Sequence, residues 1–189
     1  MTRALKLVGL FVLGFFGFHA HAALADTLVL CDSMSSELKG ESQAAGAIGC
    51  IDVLSWSWSG TTVVIVGGGG GGAGKPTLAE FSLQKPLDSS STSLFRFLVS
   101  GAPLKGTLQF RQYGQCAATC SNPIPYLTID MTKARVTSQS LGGSEEQPSE
   151  SIKFLYDAYK LCYRPTDSNG VLGTQTCQMF TISTNTITP

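Results

Sequence analysis

The run Gly69-Gly70-Gly71-Gly72-Ala73-Gly74-Lys75 has the G-x-x-x-x-G-K spacing that cradles nucleotide phosphates. Such a loop needs Ser or Thr next, to hold Mg²⁺, and this chain places Pro76 there. Proline supplies no N–H to a phosphate and disfavours helix at Lys75. Leu78 to Gln84 then reads as a strand, so no phosphate-binding helix follows. The run from Gly67 to Gly72, extended by Ala73-Gly74, is read as a flexible loop instead. Hydrolytic chemistry fares no better. The only histidines, His19 and His21, lie near the N-terminus in a segment read below as a leader. Without them the remaining chain has no Ser-His or Cys-His pair and no imidazole metal ligand. Carboxylate pairs are left, either Glu145 with Glu146 or Asp52 with Glu80 across strands. The first pair sits in a Gly/Ser/Pro-rich turn and reads as solvated surface. No catalytic residue and no cofactor or metal site is therefore assigned.

Six cysteines carry the remaining chemistry: Cys31, Cys50, Cys116, Cys120, Cys162 and Cys177. An even number in an exported chain implies disulfides. Spacing favours pairing in sequence order, Cys31–Cys50, Cys116–Cys120 and Cys162–Cys177. The last would close a loop of about 15 residues and add roughly 3 kcal/mol. A zinc site is the competing reading, but no second pair at finger spacing accompanies Cys116 and Cys120. Trp56 and Trp58, at alternating positions, read as barrel core or subunit interface rather than as a sugar-binding stripe.

These residues need a scaffold, and its pattern is mostly strand. Thr27–Asp32, Cys50–Trp58, Thr61–Val66, Leu78–Gln84, Gly106–Tyr113, Tyr126–Met131, Arg135–Ser140, Glu150–Tyr163 and Thr176–Ser183 are the expected strands. In Cys50–Trp58 a regular pleat would set Asp52, Leu54, Trp56 and Trp58 on one face. Turn signals at Asn122-Pro123, Leu141-Gly142-Gly143 and Asp167 to Gly170 separate the strands, the arrangement of a barrel or sandwich. One helix stands out. Ser91-Thr92-Ser93 offers an N-cap, Leu94, Phe97 and Leu98 make one apolar face, and Gly101 before Pro103 ends it.

The first 25 residues read as a secretory signal peptide. Arg3 and Lys6 form its basic end, Leu7 to Phe18 its apolar run, and Ala23-Leu24-Ala25 an A-x-A site before Asp26, with Ala20-His21-Ala22 as a second option slightly upstream. The apolar run is too short for a membrane anchor. Cys31 follows Leu30, not the small residue that precedes a lipidated cysteine. Domain organisation is thus 1–25 leader and 26–189 one β domain. Of 13 basic and 13 acidic residues, the leader removes two basic ones and no acidic one. That leaves 11 against 13, a formal charge of −2 with no basic run, which excludes nucleic acid and anionic membrane as electrostatic partners.

Motifs along the chain resemble one family. Gly40-Glu41-Ser42 resembles its G-E-S, and Ile51 to Trp58 its I-x-V-L-S-[FW]-S-W strand. Ala73-Gly74-Lys75 with Phe81-Ser82-Leu83-Gln84-Lys85 resembles A-G-K…F-S-F-x-K. Leu94-Phe95 and Gly101 match its helix, followed by the strand Thr107–Arg111, and Tyr126 to Ile129 its Y-L-x-I strand. Ser138-Gln139-Ser140, Gly142-Gly143 and Pro148-Ser149-Glu150-Ser151 resemble S-x-S…G…P-x-E-x-[VI]. Tyr156 to Lys160 and Tyr163-Arg164-Pro165 close the pattern. The family is Hcp, the haemolysin-coregulated tube protein of type VI secretion.

The resemblance implies a mainly β fold, an Hcp-like β-barrel of two packed sheets with one short α-helix. It implies a non-enzymatic structural protein that forms homo-hexameric rings, which stack into a tube able to carry effector proteins. The loop from Ser59 to Pro76 would contact a neighbouring ring, with Gly67, Gly70, Gly74 and Lys75 as candidate contact residues, and strand edges would make further contacts. Two features depart from the family. Tube subunits are normally cytoplasmic, whereas this leader and these cysteines point to a secreted or periplasmic protein. The stretch Gln115 to Pro125 also lengthens a hairpin. A monomeric secreted effector or binding module reusing the fold is the alternative.

Overall fold

The computed structural model describes residues 26–33, 37–64, 74–114, 123–143, 148–168 and 171–189. The expected leader, Gly67, Gly70, Cys116, Cys120, Glu145 and Glu146 lie outside them. The described chain forms β1 (Thr27–Asp32), β2 (Ile51–Asp52), β3 (Ser55–Ser57), β4 (Gly60–Thr61), β5 (Thr77–Leu78) and β6 (Phe81–Pro86). Then come α1 (Ser90–Ser100), β7 (Thr107–Tyr113), β8 (Leu127–Thr132), β9 (Arg135–Gly142), β10 (Ser149–Leu155), β11 (Ala158–Tyr163), β12 (Thr176–Thr181) and β13 (Thr186–Thr188). A seven-stranded antiparallel sheet, ordered β13-β12-β11-β8-β7-β1-β2, faces a four-stranded one, β3-β6-β10-β9, and β4-β5 form a separate ribbon.

The two sheets share strands that bend from one into the other, as at barrel corners. Residues 127–142 and 149–163 run as one bent antiparallel ribbon. Leu155 pairs Arg135 in the small sheet, and Ala158 pairs Thr132 in the large one. Lys133, with φ of 51°, turns the first arm, and the Lys133–Asp157 ion pair at 2.8 Å closes the corner. The expected single strand Glu150–Tyr163 is therefore two strands with a corner at Tyr156-Asp157. The second bend falls between Val53, whose N–H donates to the Leu28 carbonyl, and Leu54, whose N–H donates to Gln84. The pleat slips there. Ile51 and Val53 point into the core, Leu54 and Ser55 are exposed, and Trp56 and Trp58 turn inward. This corrects the expected facing, because Asp52 and Leu54 do not share a face with the tryptophans.

Thr61–Val66 is corrected too. Among the described residues of this arm only Gly60–Thr61 forms a named strand, Val63 and Val64 are exposed, and residues 65–66 lie outside the described residues.

The core lies between the sheets, where Phe81, Phe110, Ile129, Met131, Ile152 and Phe154 are fully buried. Trp56 stacks on Phe81 at 5.7 Å and meets Phe110 at 5.1 Å. Trp58 stacks on Tyr159 at 4.5 Å and donates to the Tyr156 hydroxyl at 2.5 Å, which donates on to the Ala79 carbonyl. Each indole thus finds apolar contact for its body, and Trp58 finds an acceptor for its N–H. Both are core, as their types suggest.

Helix α1 places Leu94 and Phe97 in this core and ends at Gly101, whose φ of 62° a side chain would oppose. Its start differs from expectation. The N-cap is Ser89, which makes no side-chain cap. Its role is taken by Glu41, which accepts from the Ser89 N–H at 3.0 Å, and by Asp88, which accepts from the Ser90 N–H at 2.9 Å. Carboxylates at this end also suit the helix dipole.

Candidate functional site

The described cysteines come first, since they fix edges of the large sheet. Cys31 and Cys50 are bonded with Cα atoms 4.7 Å apart, and Cys162 and Cys177 with Cα atoms 4.1 Å apart. Cys162 and Cys177 face each other directly across β11 and β12. The first bridge pins the loop 37–50 over the outer face of the large sheet, where Ala44 and Ala47 cover Val29, Cys31 and Tyr113. Gly40 makes that fold-back possible, because an added Cβ would lie 2.3 Å from the Cys50 carbonyl oxygen. The Gly40-Glu41-Ser42 motif thereby has a physical account. Gly40 permits close approach, Glu41 reaches the helix start, and Ser42 is fully buried.

The small sheet is held differently. Lys85 and Glu150 are opposite each other on β6 and β10, both buried, with Nζ 2.6 Å from Oε1. The same ammonium donates to Asp88 at 2.8 Å and to the Pro86 carbonyl at 2.8 Å. Ser91 donates to Glu150 Oε1 at 2.6 Å, and Gln139 on β9 donates to Oε2 at 2.5 Å. Ser91, expected as a cap, instead ties the helix to the sheet. A buried charge is tolerable only when paired and hydrogen-bonded in this way. Gln139 Oε1 is the one atom of the group left without a partner among the described residues. The network joins α1 to three strands and fixes the small sheet from within.

The outer face of that sheet carries two rows in register. Ser55, Gln84, Ser151 and Ser140 form one row across β3, β6, β10 and β9. Ser57, Ser82, Lys153 and Ser138 form the other. Apart from Ser55, which donates to Gln84 at 3.3 Å, the serine hydroxyls in these rows make no hydrogen bond within the described residues. Six serines, one glutamine and one lysine make a flat, short-chained face with a single charge. It lets another surface approach closely while offering donors and acceptors across four strands. Residues of the motifs S-W-S-W, F-S-L-Q-K, S-Q-S and S-E-S supply it, with inward neighbours that build the core. Sequence reading missed this face, although serine at alternate positions of S-W-S-W, S-Q-S and S-E-S is its signature.

The β4–β5 ribbon projects beside it. Gly74 donates to the Val63 carbonyl at 2.8 Å, and Thr62 to the Gly74 carbonyl at 3.1 Å. Gly74 and Lys75 are exposed in the returning arm, which runs through Pro76 into β5 rather than a helix. Residues 69–73 of the G-x-x-x-x-G-K run lie outside the described residues. Asp52 lies exposed opposite Val29, Glu80 lies in the step between β5 and β6, and no hydrogen bond joins them. Among the described residues no three His, Cys, Asp or Glu gather as metal ligands, and no helix is long and apolar enough to cross a membrane.

Three tyrosines have raised pKa values, Tyr156 through burial. Tyr126 is pushed up to about 12, first by burial and then by its hydrogen bond to the Asp26 carboxylate. Burial raises Tyr159, helped by neighbouring Tyr156. Asp157 is lowered by its hydrogen bond from Lys133 and by that from Ser183.

Comparison with known proteins places this geometry. No curated protein sequence matches the chain. A solved structure described as a type six secretion system protein superposes with TM-score 0.76 at 22% identity, covering 87% of this chain and all of its own. Hcp1 from Salmonella typhimurium superposes with TM-score 0.68 at 20% identity, over 87% of this chain and 100% of its own. A type VI secretion system effector from Yersinia pestis gives 0.60 at 24%, over 82% and 98%. At such identities these structures establish the fold. The family model for the type VI secretion system effector Hcp matches residues 31–163, most of the described domain, and on that match the chain belongs to the Hcp family.

Proposed function

We propose that the chain is an exported structural subunit that forms homo-hexameric rings and does no catalysis. Residues 1–25 serve as a cleaved leader, and the disulfide-stapled domain 26–189 works in a secreted or periplasmic setting. The rings stack or carry effector proteins by contact. Family membership supports ring formation, and the two bridged cysteine pairs suit an oxidising compartment.

The carrying observation is the double row of small hydroxyl residues on the outer face of the small sheet. A solvated sheet face ordinarily carries long charged side chains, which oppose close packing through the entropy of fixing them. Serines oppose it least. The face therefore suits contact with a second copy, with the ribbon around Gly74 and Lys75 at its border. Light scattering on the processed, oxidised protein tests the reading, with N-terminal sequencing to locate the cut. A mass six times that of the processed chain, beginning at Asp26, is expected. A monomer at high concentration would refute the ring.

A further inference from the structure

The outer face of the large sheet holds a groove of about 440 Å³ that the ring reading does not use. That is the size of a small-molecule site, roughly 300–1,000 Å³. Arg111 and Tyr113 line it from β7, Thr128 and Asp130 from β8, Lys160 from β11, and Gln175 from the rim. The Cys162–Cys177 bridge forms part of its wall.

Its polar groups are mostly unspent donors. Neither the Tyr113 nor the Thr128 hydroxyl has a hydrogen-bond partner among the described residues, and both residues line the groove. Arg111 is held in place by Gln109, which accepts from Nε, and by the Gly46 carbonyl, which accepts from Nη1 at 3.3 Å. No carboxylate pairs with Arg111 or with Lys160 among the described residues. Asp130, the acid that lines the groove, is taken by Gln109 Nε2 at 2.6 Å. The Gln175 carbonyl accepts from Arg164 at 3.2 Å, which leaves its amide N–H groups as donors.

Strand register gathers these groups. Thr128 is opposite Arg111, and Lys160 is opposite Asp130. The Cys31–Cys50 bridge holds the loop that brings Gly46, and the Cys162–Cys177 bridge holds β12 beside Gln175. A rigid frame lowers the entropic cost of binding.

We infer that this groove is a binding site for a carboxylate group, received by Arg111 and Lys160 with the Tyr113 and Thr128 hydroxyls as added donors. Asp130 at the same site opposes a densely charged anion such as phosphate. The carboxylate can belong to a free small acid or to an acidic side chain of a peptide, and two probes separate these sources.

Amide NMR titration of the processed, oxidised chain with succinate, with acetyl-Ala-Glu-Ala-amide and with inorganic phosphate is the test. Saturable shifts around the groove with succinate are expected, weakened about threefold to tenfold in Tyr113→Phe. Arg111→Gln should weaken them at least about tenfold. Lys105→Gln, exposed ahead of β7 and outside the groove, should leave binding unchanged. Shifts with the peptide alone would support the site and assign its carboxylate to a partner chain. No saturable shift with either probe, tighter binding of phosphate, or equal loss in Lys105→Gln would overturn the assignment.

Discussion

The two sheets of this domain are secured by different means, and their outer faces differ accordingly. The small sheet is tied from inside by Lys85, Glu150, Gln139 and Ser91, so its outer face needs no support and carries short serines in rows. The large sheet is tied from outside by two disulfides, one over its β1–β2 edge and one across β11 and β12. Its outer face is uneven in consequence, with a loop on one side and a polar groove in the middle. A flat face suits another sheet-sized surface, and a recessed face suits a small group. The means of support thus decides which face is free for which contact.

The sharpest way to break this comparison is to cut the internal tie. Glu150→Ala leaves the Lys85 ammonium buried without its closest partner and should cost about 3–5 kcal/mol in urea unfolding. The double change Lys85→Met with Glu150→Leu removes both charges and should recover most of that loss. A double variant as unstable as the single one would show that packing, not charge, holds the small sheet.

Cutting the external tie should cost less. Cys162→Ser with Cys177→Ser should lose about 3 kcal/mol, from a loop of 15 residues. The loss should appear equally when the wild type is reduced at that bond. A near-neutral result would mean that the β11–β12 pairing suffices alone.

Smaller effects lie at the edges and follow pH. Tyr126 has its pKa raised from 10.0 to about 12 in the fold, so its neutral form is the stabilising one. That contribution is complete below pH 10 and is lost as pH rises through about 12. Asp157 runs the other way. Its pKa is lowered in the fold, so its contribution is present above the ordinary carboxylate range and lost in acid. Alkaline unfolding curves of wild type and Tyr126→Phe should therefore converge at high pH, with the wild type ahead below pH 10. Parallel curves would remove the tyrosine from the account.

Much of this was legible in sequence. Alternating Leu108 and Phe110, the Leu94–Phe97 spacing and Gly101 each carried a local signal that the structure keeps. Corners were not legible. Cys50–Trp58 looks like one strand because both sides of the slip at Val53-Leu54 alternate, and only the change of partner sheet breaks the phase. The helix start was misplaced because its acceptors are Asp88 and Glu41, and Glu41 is far away in sequence. Lys85 and Glu150 were half legible. Each continues an inward series, Phe81-Leu83-Lys85 and Glu150-Ile152-Phe154, and a charge at an inward position calls for a partner. The serine rows and the groove needed strand register, which no single segment encodes.

The smallest expected change in stability carries the most direct test. Ser82→Arg with Ser151→Arg alters only the outer face of the small sheet and should shift unfolding by about 0.5 kcal/mol or less. Sedimentation of the processed, oxidised wild type beside this variant should show a six-fold assembly for the first and a monomer for the second. A variant that stays assembled, or a wild type that never assembles, would contradict the claim that the serine face joins one copy to the next.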